Sequence, residues 1–272
     1  MTDHSPAPGW RQPPRIDTSV AHSARVWNYL LGGKDNYAAD REAGELILRL
    51  FPGIARIARV QRHFLSRAVR YLASEAGIRQ FLDIGTGLPT AENTHEVAQR
   101  VAPQSRIVYV DNDPLVLVHA QALLTSSPSG VTDYIEADVR NPEKILEGAA
   151  KTLSLTQPVG LMMLGIVGQI PDSSDPLSIV RRLLDALPSG SYLALSDGTD
   201  TSEALSAAIR AYNANSANSY HLRSPAQIAG FFDGLDLVEP GVVTTSKWRP
   251  DFTGNGGDVQ DVDAICGIGR KP

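Results

Sequence analysis

An acidic residue followed closely by two glycines is the strongest chemical signal in the sequence. The segment reads Asp83-Ile84-Gly85-Thr86-Gly87, and glycines at such a point let the backbone approach a ligand closely. The Asp83 carboxylate suits a cationic ligand group, such as the α-ammonium of a sulfonium compound. A dinucleotide fingerprint would place its last glycine where Thr90 stands, which argues against a nicotinamide cofactor. We therefore predict a nucleotide-like ligand here, with a tight structural turn as the alternative.

Carboxylates also end the next two apolar runs. Asp111 comes 24 residues after Gly87, close to the spacing at which an acid binds ribose hydroxyls. Asp138 could accept a hydrogen bond from an adenine amino group while Val139 packs on the ring. A helix cap is the simpler interpretation of Asp138 taken alone, and Asp113 before a proline is predicted to be such a cap.

These residues lie at the ends of short apolar runs that alternate with helical stretches. The alternation predicts βαβ units and a parallel sheet buried on both faces, so the fold class is doubly wound α/β. Ligands bind such sheets beyond the carboxyl ends of the strands. Two later runs could pair as an edge hairpin. The five runs are residues 79–85, 105–111, 131–138, 158–164 and 191–197, and the later pair is 235–243 and 263–269.

The predicted domain organisation has three parts. Residues 1–20 are polar and proline-rich and are predicted to be a disordered tail, whereas apolar residues at helical spacing in 21–76 predict an N-terminal helical cap. Residues 77–272 form the ligand-binding domain, with a glycine-rich loop at 253–260. The Gly32-Gly33 break suggests a lid that closes over the ligand with Tyr29, Asn36 and Tyr37. The arginines between 56 and 70 are interpreted as a solvated helix face.

Composition excludes several classes of protein. The 272 residues carry a net charge of −5 and 42% hydrophobic residues, which favours a folded core without the positive field that holds nucleic acid or an anionic membrane. The sequence contains no long apolar span and no secretory h-region. Its single cysteine, Cys266, has no partner for a disulfide or a zinc site. We expect a cytoplasmic protein that binds no metal, nucleic acid or membrane.

The motifs resemble a known superfamily. Residues 83–90, 109–114 and 134–138 are similar to the first three motifs of class I S-adenosylmethionine-dependent methyltransferases. More narrowly, the chain resembles a poorly characterised bacterial S-adenosyl methyltransferase family of high-GC genomes. That resemblance lies mainly in residues 25–42, 93–99 and 247–251.

The resemblance implies a Rossmann-like, mostly parallel seven-stranded sheet and S-adenosylmethionine as the cofactor. Its amino-acid end would lie at Gly85 and Gly87, the ribose at Asp111, and the adenine at Asp138 and Val139. Asp83, Thr86 and Asn112 are further predicted cofactor-binding residues. Backbone at Gly165 would complete the site. The implied function is methyl transfer to an unidentified, small-molecule acceptor.

Two residues leave an alternative open. Gly168 and Gln169 stand where such proteins tend to carry a histidine and bulky neighbours, so a non-catalytic S-adenosylmethionine-binding sensor or interaction module is the second hypothesis. The candidates for a general base are Tyr29, His95 and Asp197. His95 lies one turn into the helix after the glycine loop, where a bond on the helix surface is an equal alternative. The oligomeric state is left open.

Overall fold

The computed structural model describes residues 16–123, 126–214, 216, 218–251 and 260–272. Most of the tail predicted for residues 1–20 and most of the glycine-rich loop predicted at 253–260 lie outside the described residues. No helix in the described ranges is long and apolar enough to cross a membrane.

The strands of the described chain form one sheet. They are β1 Gln80–Ile84, β2 Arg106–Asp111, β3 Val131–Glu136, β4 Gly160–Leu164, β5 Tyr192–Gly198, β6 Asp236–Leu237, β7 Val243–Thr244 and β8 Ala264–Arg270. Their order is β3-β2-β1-β4-β5-β8-β6, and β7 also pairs with β8. The strands β1 to β5 are parallel, as the alternation of runs predicted. The order reverses between β1 and β4, so the switch point lies at the carboxyl end of β1.

The two C-terminal runs pair antiparallel at the edge of the sheet, as predicted, but the first run is interrupted. β8 lies between β5 and β6 and runs antiparallel to both. Pro240 and Gly241 interrupt the run at 235–243, because proline has no backbone N–H for the ladder. The run therefore yields two short strands, β6 and β7, which both pair with β8. Because this run is divided, the sheet has eight strands, whereas the resemblance implies seven.

The helices cover both faces of the sheet and its carboxyl edge. Ser202 begins α8 by accepting a hydrogen bond from the N–H of Leu205 (3.2 Å), and Asn93 begins α4 by donating its N–H to Glu96 (2.8 Å), as N-cap residues do. The helices are α1 Ser23–Leu30, α2 Ala38–Leu50, α3 Ile54–Ser74, α4 Thr94–Val101, α5 Pro114–Leu123, α6 Pro142–Ala149, α7 Pro176–Asp185, α8 Glu203–Asn213 and α9 Pro225–Ala229.

Alternate strand residues build two cores. Leu82 and its equivalents on β2, β4 and β5 pack against α6, α7 and α9. Phe81 and its equivalents pack against α4 and the second half of α3. On that second face Arg67 is buried and donates to the carbonyls of Trp248 and Thr245 (both 2.9 Å). The expected solvated arginine face is therefore wrong for Arg67, because its guanidinium satisfies the backbone of the C-terminal segment.

A third core forms a helical roof over the carboxyl edge of the sheet. It joins α1, α2 and the first half of α3 to α8, so the roof draws on both sides of the division proposed at residues 76 and 77. Buried ion pairs fasten this roof to the end of β2. Arg25 lies 3.2 Å from Asp113 and 3.7 Å from Asp40, and His22 Nδ1 lies 3.1 Å from Asp113. Asp113 also caps α5, as predicted, through the N–H of Leu115 (2.9 Å).

Candidate active site

A cavity of about 520 Å³ lies between the carboxyl edge of the sheet and the helical roof. Ligand sites commonly measure about 300–1,000 Å³, so this volume suits a small molecule. The loops after β1 to β4 form its floor, and α1, α2, α3 and α8 form its roof. The nine residues predicted to bind the cofactor all line this cavity, namely Asp83, Gly85, Thr86, Gly87, Asp111, Asn112, Asp138, Val139 and Gly165.

The glycine loop after β1 is a shallow cradle. Gly85 (φ +72°) and Gly87 (φ +66°) adopt left-handed conformations, which glycine reaches without steric cost. A Cβ on Gly85 would lie 2.6 Å from Ile166 Cδ1, whereas a Cβ on Gly87 would meet no heavy atom within 4 Å. The space above Gly87 is therefore open to a ligand.

Asp83 is a buried carboxylate that faces the cavity. Burial raises its pKa to about 6, opposed by the hydrogen bond from Thr94 and the charge of Arg62. Thr94 donates to Asp83 Oδ2 at 2.6 Å. Arg62 also lines the cavity and is held by the carbonyls of Ala91 and Glu92 (3.0 and 3.1 Å). The carboxylate would gain from a cationic partner that enters the cavity.

The carboxylates after β2 and β3 are fixed by backbone and by an ion pair. Asp111 accepts the N–H groups of Gly87 (2.8 Å) and Asp113 (2.9 Å), which ties the glycine loop to β2. Burial raises the pKa of Asp111. Asp138 accepts two hydrogen bonds from the Arg140 side chain and one from its N–H, and these bonds to Arg140 lower the pKa of Asp138.

The candidate bases lie in different places. The Tyr29 hydroxyl contacts Glu45 at 3.4 Å on the outside of the roof. His95 is buried with Nδ1 2.8 Å from Tyr109 Oη, and burial lowers its pKa. Neither is among the described residues that line the cavity. Asp197 lies behind the lining residue Tyr220, whose hydroxyl donates to it.

Several lining residues escaped the sequence argument. The spacing of Ala24, Trp27, Asn28 and the C-cap residue Leu31 marks one face of α1, and that helical periodicity could have identified them as a group. Asn28 accepts bonds from the Asp35 N–H and the Asn36 side chain, which organises the turn after the Gly-Gly break. The lining residues of the irregular segment after α8 carry no such signal. Tyr220 and His221 are among them.

The family model described as S-adenosyl methyltransferase matches residues 10–272. The chain belongs to this family. The methyltransferase is also similar to two solved structures across nearly the whole of each chain. A DUF574 family protein from Streptomyces avermitilis MA-4680 shares 50% identity at a TM-score of 0.90, covering 95% of this chain and 100% of that one. A protein described as a methyltransferase from Thermobifida fusca YX shares 41% identity at a TM-score of 0.86, covering 95% and 98%.

A more distant likeness concerns the fold alone. An S-adenosylmethionine-dependent methyltransferase from Anabaena variabilis ATCC 29413 shares 12% identity at a TM-score of 0.51, covering 94% of this methyltransferase and 98% of that chain. No curated protein sequence matches the chain. Membership of the family confirms the predicted activity class, a methyltransferase that uses S-adenosylmethionine.

Proposed function

We propose that this methyltransferase transfers a methyl group to a small-molecule acceptor that enters the roofed cavity beside the cofactor. The bound cofactor supplies a methyl group already activated on a sulfonium, so the chain has to bind, orient and exclude water. The convergence of nine predicted residues on one cavity carries the proposal. Burial of the acceptor beneath four helices favours a small molecule over a macromolecule.

The residues on the sheet side of the cavity can make the contacts that the cofactor requires. Asp83 would hold the ammonium, because it is a buried carboxylate that, among the described residues, has a hydrogen bond from Thr94 and none from a cationic side chain. The open backbone of Gly87 leaves room for a ligand over the loop. Asp111 keeps acceptor capacity for ribose hydroxyls, since each carboxylate oxygen has two lone pairs. We assign the other predicted cofactor-binding residues as further contacts of the cofactor, namely Gly85, Thr86, Asn112, Asp138, Val139 and Gly165.

A pair of matched substitutions tests this assignment. Gly87 and Gly77 both have positive φ (+66° and +71°), and a Cβ on either would meet no heavy atom within 4 Å. Asparagine tolerates this conformation better than other side chains. Gly87→Asn places a side chain where the ligand would lie, whereas Gly77→Asn places one outside the cavity. We expect S-adenosylhomocysteine affinity to fall more than about tenfold in Gly87→Asn and to stay unchanged in Gly77→Asn.

The readout is isothermal calorimetry, supported by thermal unfolding. Ligand at about 100 times its Kd stabilises a protein by about 2.7 kcal/mol. S-adenosylmethionine and S-adenosylhomocysteine should both raise Tm, and NADH should not. Stabilisation by neither sulfur nucleoside would contradict the proposal, and equal losses in the two variants would place the ligand elsewhere.

A further inference from the structure

The helical side of the cavity is mostly apolar, and Asn28, Gln61 and Arg62 are its larger polar residues. Its apolar side chains come from α1, α2, α3 and α8 and from the segment after α8. They are Leu30, Leu31, Ile47, Ile54, Ile57, Leu205, Ile209 and Leu222. A wall of this kind binds the hydrocarbon part of a ligand, because contact removes apolar surface from water.

A pair of polar side chains lies where this wall meets the sheet. The Tyr220 hydroxyl donates to Asp197 Oδ1, and Asp197 also accepts the N–H groups of Gly168 (2.8 Å) and Gly198 (2.9 Å). Asp197 is the last residue but one of β5, next to the end of β4, where the Gly165 N–H donates to the Ser196 carbonyl (2.7 Å). Tyr220 therefore stands beside the strand end assigned to the cofactor.

The position of Tyr220 is fixed by its surroundings. Asn213 clamps the Tyr220 backbone, accepting its N–H and donating to its carbonyl (both 2.8 Å). A Cβ on Gly168 would lie 2.4 Å from Tyr220 Cζ and 2.9 Å from Asp197 Oδ1. The absence of a side chain at Gly168 therefore leaves the space that the tyrosine ring occupies.

A buried hydrogen-bond acceptor near Tyr220 and Asp197 has no donor among the described residues. Gln169 lines the cavity, and its Oε1 is buried with no hydrogen-bond partner among the described residues. Leaving such a group unsatisfied is unfavourable. A second donor group on the ligand, separate from a hydroxyl bound at Tyr220, would satisfy it.

We propose, resting on the proposed function, that the acceptor is a largely apolar alcohol or phenol whose hydroxyl binds Tyr220, which takes its proton and passes its own to Asp197. The acceptor O–H bond breaks and a new Tyr220 O–H bond forms, while the former Tyr220 proton moves to Asp197 Oδ1. The acceptor oxygen bonds to the methyl carbon as the carbon–sulfur bond breaks, and that electron pair stays on sulfur. A hydroxyl needs such a base, because its oxygen becomes a strong nucleophile only as the proton leaves.

The electrostatics of the pair support this direction of transfer. Burial raises the pKa of Asp197 to about 7, opposed by the N–H groups of Gly168 and Gly198 and the charge of Arg223. Arg223 is itself paired with Asp172 at 2.8 Å, and His221 lies beside Tyr220 on the cavity wall. Above about pH 7 the carboxylate accepts a hydrogen bond from the Tyr220 hydroxyl. The phenol oxygen accepts the Gly198 N–H at 3.3 Å and keeps a second lone pair for the hydroxyl of the methyl acceptor.

The test uses 1-naphthol and its methyl ether, 1-methoxynaphthalene, as apolar probes that differ in the O–H donor. Calorimetry measures both affinities with S-adenosylhomocysteine present. One additional hydrogen bond corresponds to about fivefold in affinity, so the wild type should prefer the naphthol by about that factor. Tyr220→Phe should abolish the preference while it keeps S-adenosylhomocysteine affinity. Tyr29→Phe, on the outside of the roof, is the matched control and should retain the preference.

A pH series separates a proton-accepting role for Asp197 from a structural one. The preference for 1-naphthol over its ether should increase between about pH 6 and about pH 8 in the wild type and in His221→Gln, and it should be independent of pH in Asp197→Asn.

Equal binding of the two probes, a preference kept by Tyr220→Phe, or displacement of S-adenosylhomocysteine by the naphthol would each overturn the inference. Binding of neither probe would also overturn it and leave the cofactor proposal standing. Failure of the wild type to bind S-adenosylhomocysteine would refute the proposed function itself.

Discussion

Replacing Asp83 with asparagine separates the stability of the fold from its ligand affinity. Burial raises the pKa of Asp83 from 3.8 to about 6, a difference of about two pH units at about 1.36 kcal/mol each. The ionised carboxylate therefore costs the folded protein about 3 kcal/mol at neutral pH. Asparagine keeps an oxygen that can accept the Thr94 hydroxyl and carries no charge. We expect Asp83→Asn to raise the free energy of unfolding by up to about 3 kcal/mol and Tm by about 5–10 °C.

The gain should depend on pH in a defined direction. Between about pH 4 and pH 6 the folded wild type keeps a proton that the unfolded chain has released, so its stability falls as pH rises through this window. Asp83→Asn has no such group at this position. Its advantage over the wild type should be complete above about pH 7 and absent near pH 4. Urea unfolding without ligand measures it, with Glu136→Gln, an exposed carboxylate that ends β3, as the control.

The same substitution should weaken ligand binding. A hydrogen bond to a charged group contributes about 1.5–3 kcal/mol, so S-adenosylhomocysteine affinity should fall at least about tenfold. A variant no more stable than the wild type at pH 7.5, or a gain independent of pH, would refute the argument from burial. Unchanged affinity would show that Asp83 is not the partner of the ammonium.

Three further substitutions test other parts of the structure. Arg67→Ala should lower the free energy of unfolding by about 3 kcal/mol, because two buried carbonyls lose their donor. Arg67→Lys should not restore the lost stability, since an ammonium lacks the planar fork of a guanidinium. Urea unfolding measures both variants. Asp113→Asn leaves the buried Arg25 without one counterion and should cost about 3 kcal/mol, with faster amide hydrogen exchange in α1 and α2. His95→Gln should leave S-adenosylhomocysteine affinity unchanged in calorimetry, because the side chain is bonded to Tyr109 and lies outside the cavity lining.

The sheet side of the cavity could be predicted because topology brings its residues together. The carboxyl ends of parallel strands meet at one edge, so Asp83, Asp111 and Asp138 were placed near one another by the strand pattern alone. The glycines between them marked the positive φ angles that the structure contains. Local sequence was sufficient here because each residue lies within a few positions of a strand end.

The roof could not be predicted in the same way. Tyr29 and Asn28 differ by one position on α1, and only the packing of α2 and α8 decides which of them faces the cavity. Nothing in the sequence near Tyr220 indicates the clamp by Asn213, because that contact depends on the irregular chain after α8. The sequence does not distinguish Arg67 from the other arginines of α3, because its burial depends on the distant carbonyls of Trp248 and Thr245.

The two walls of the cavity have different relations to the sequence. The floor is built from strand-end motifs in which Gly85 and Asp111 are constrained by backbone conformation and by bonds to the main chain. The roof is built from apolar side chains dispersed between residues 30 and 57 and between 205 and 222, where one aliphatic residue can replace another at low cost. Proteins with the same floor can thus carry differently shaped roofs while their motifs stay identical. A comparison of strand-end motifs will group such proteins by their common cofactor, and sorting them by acceptor requires the shape of the roof.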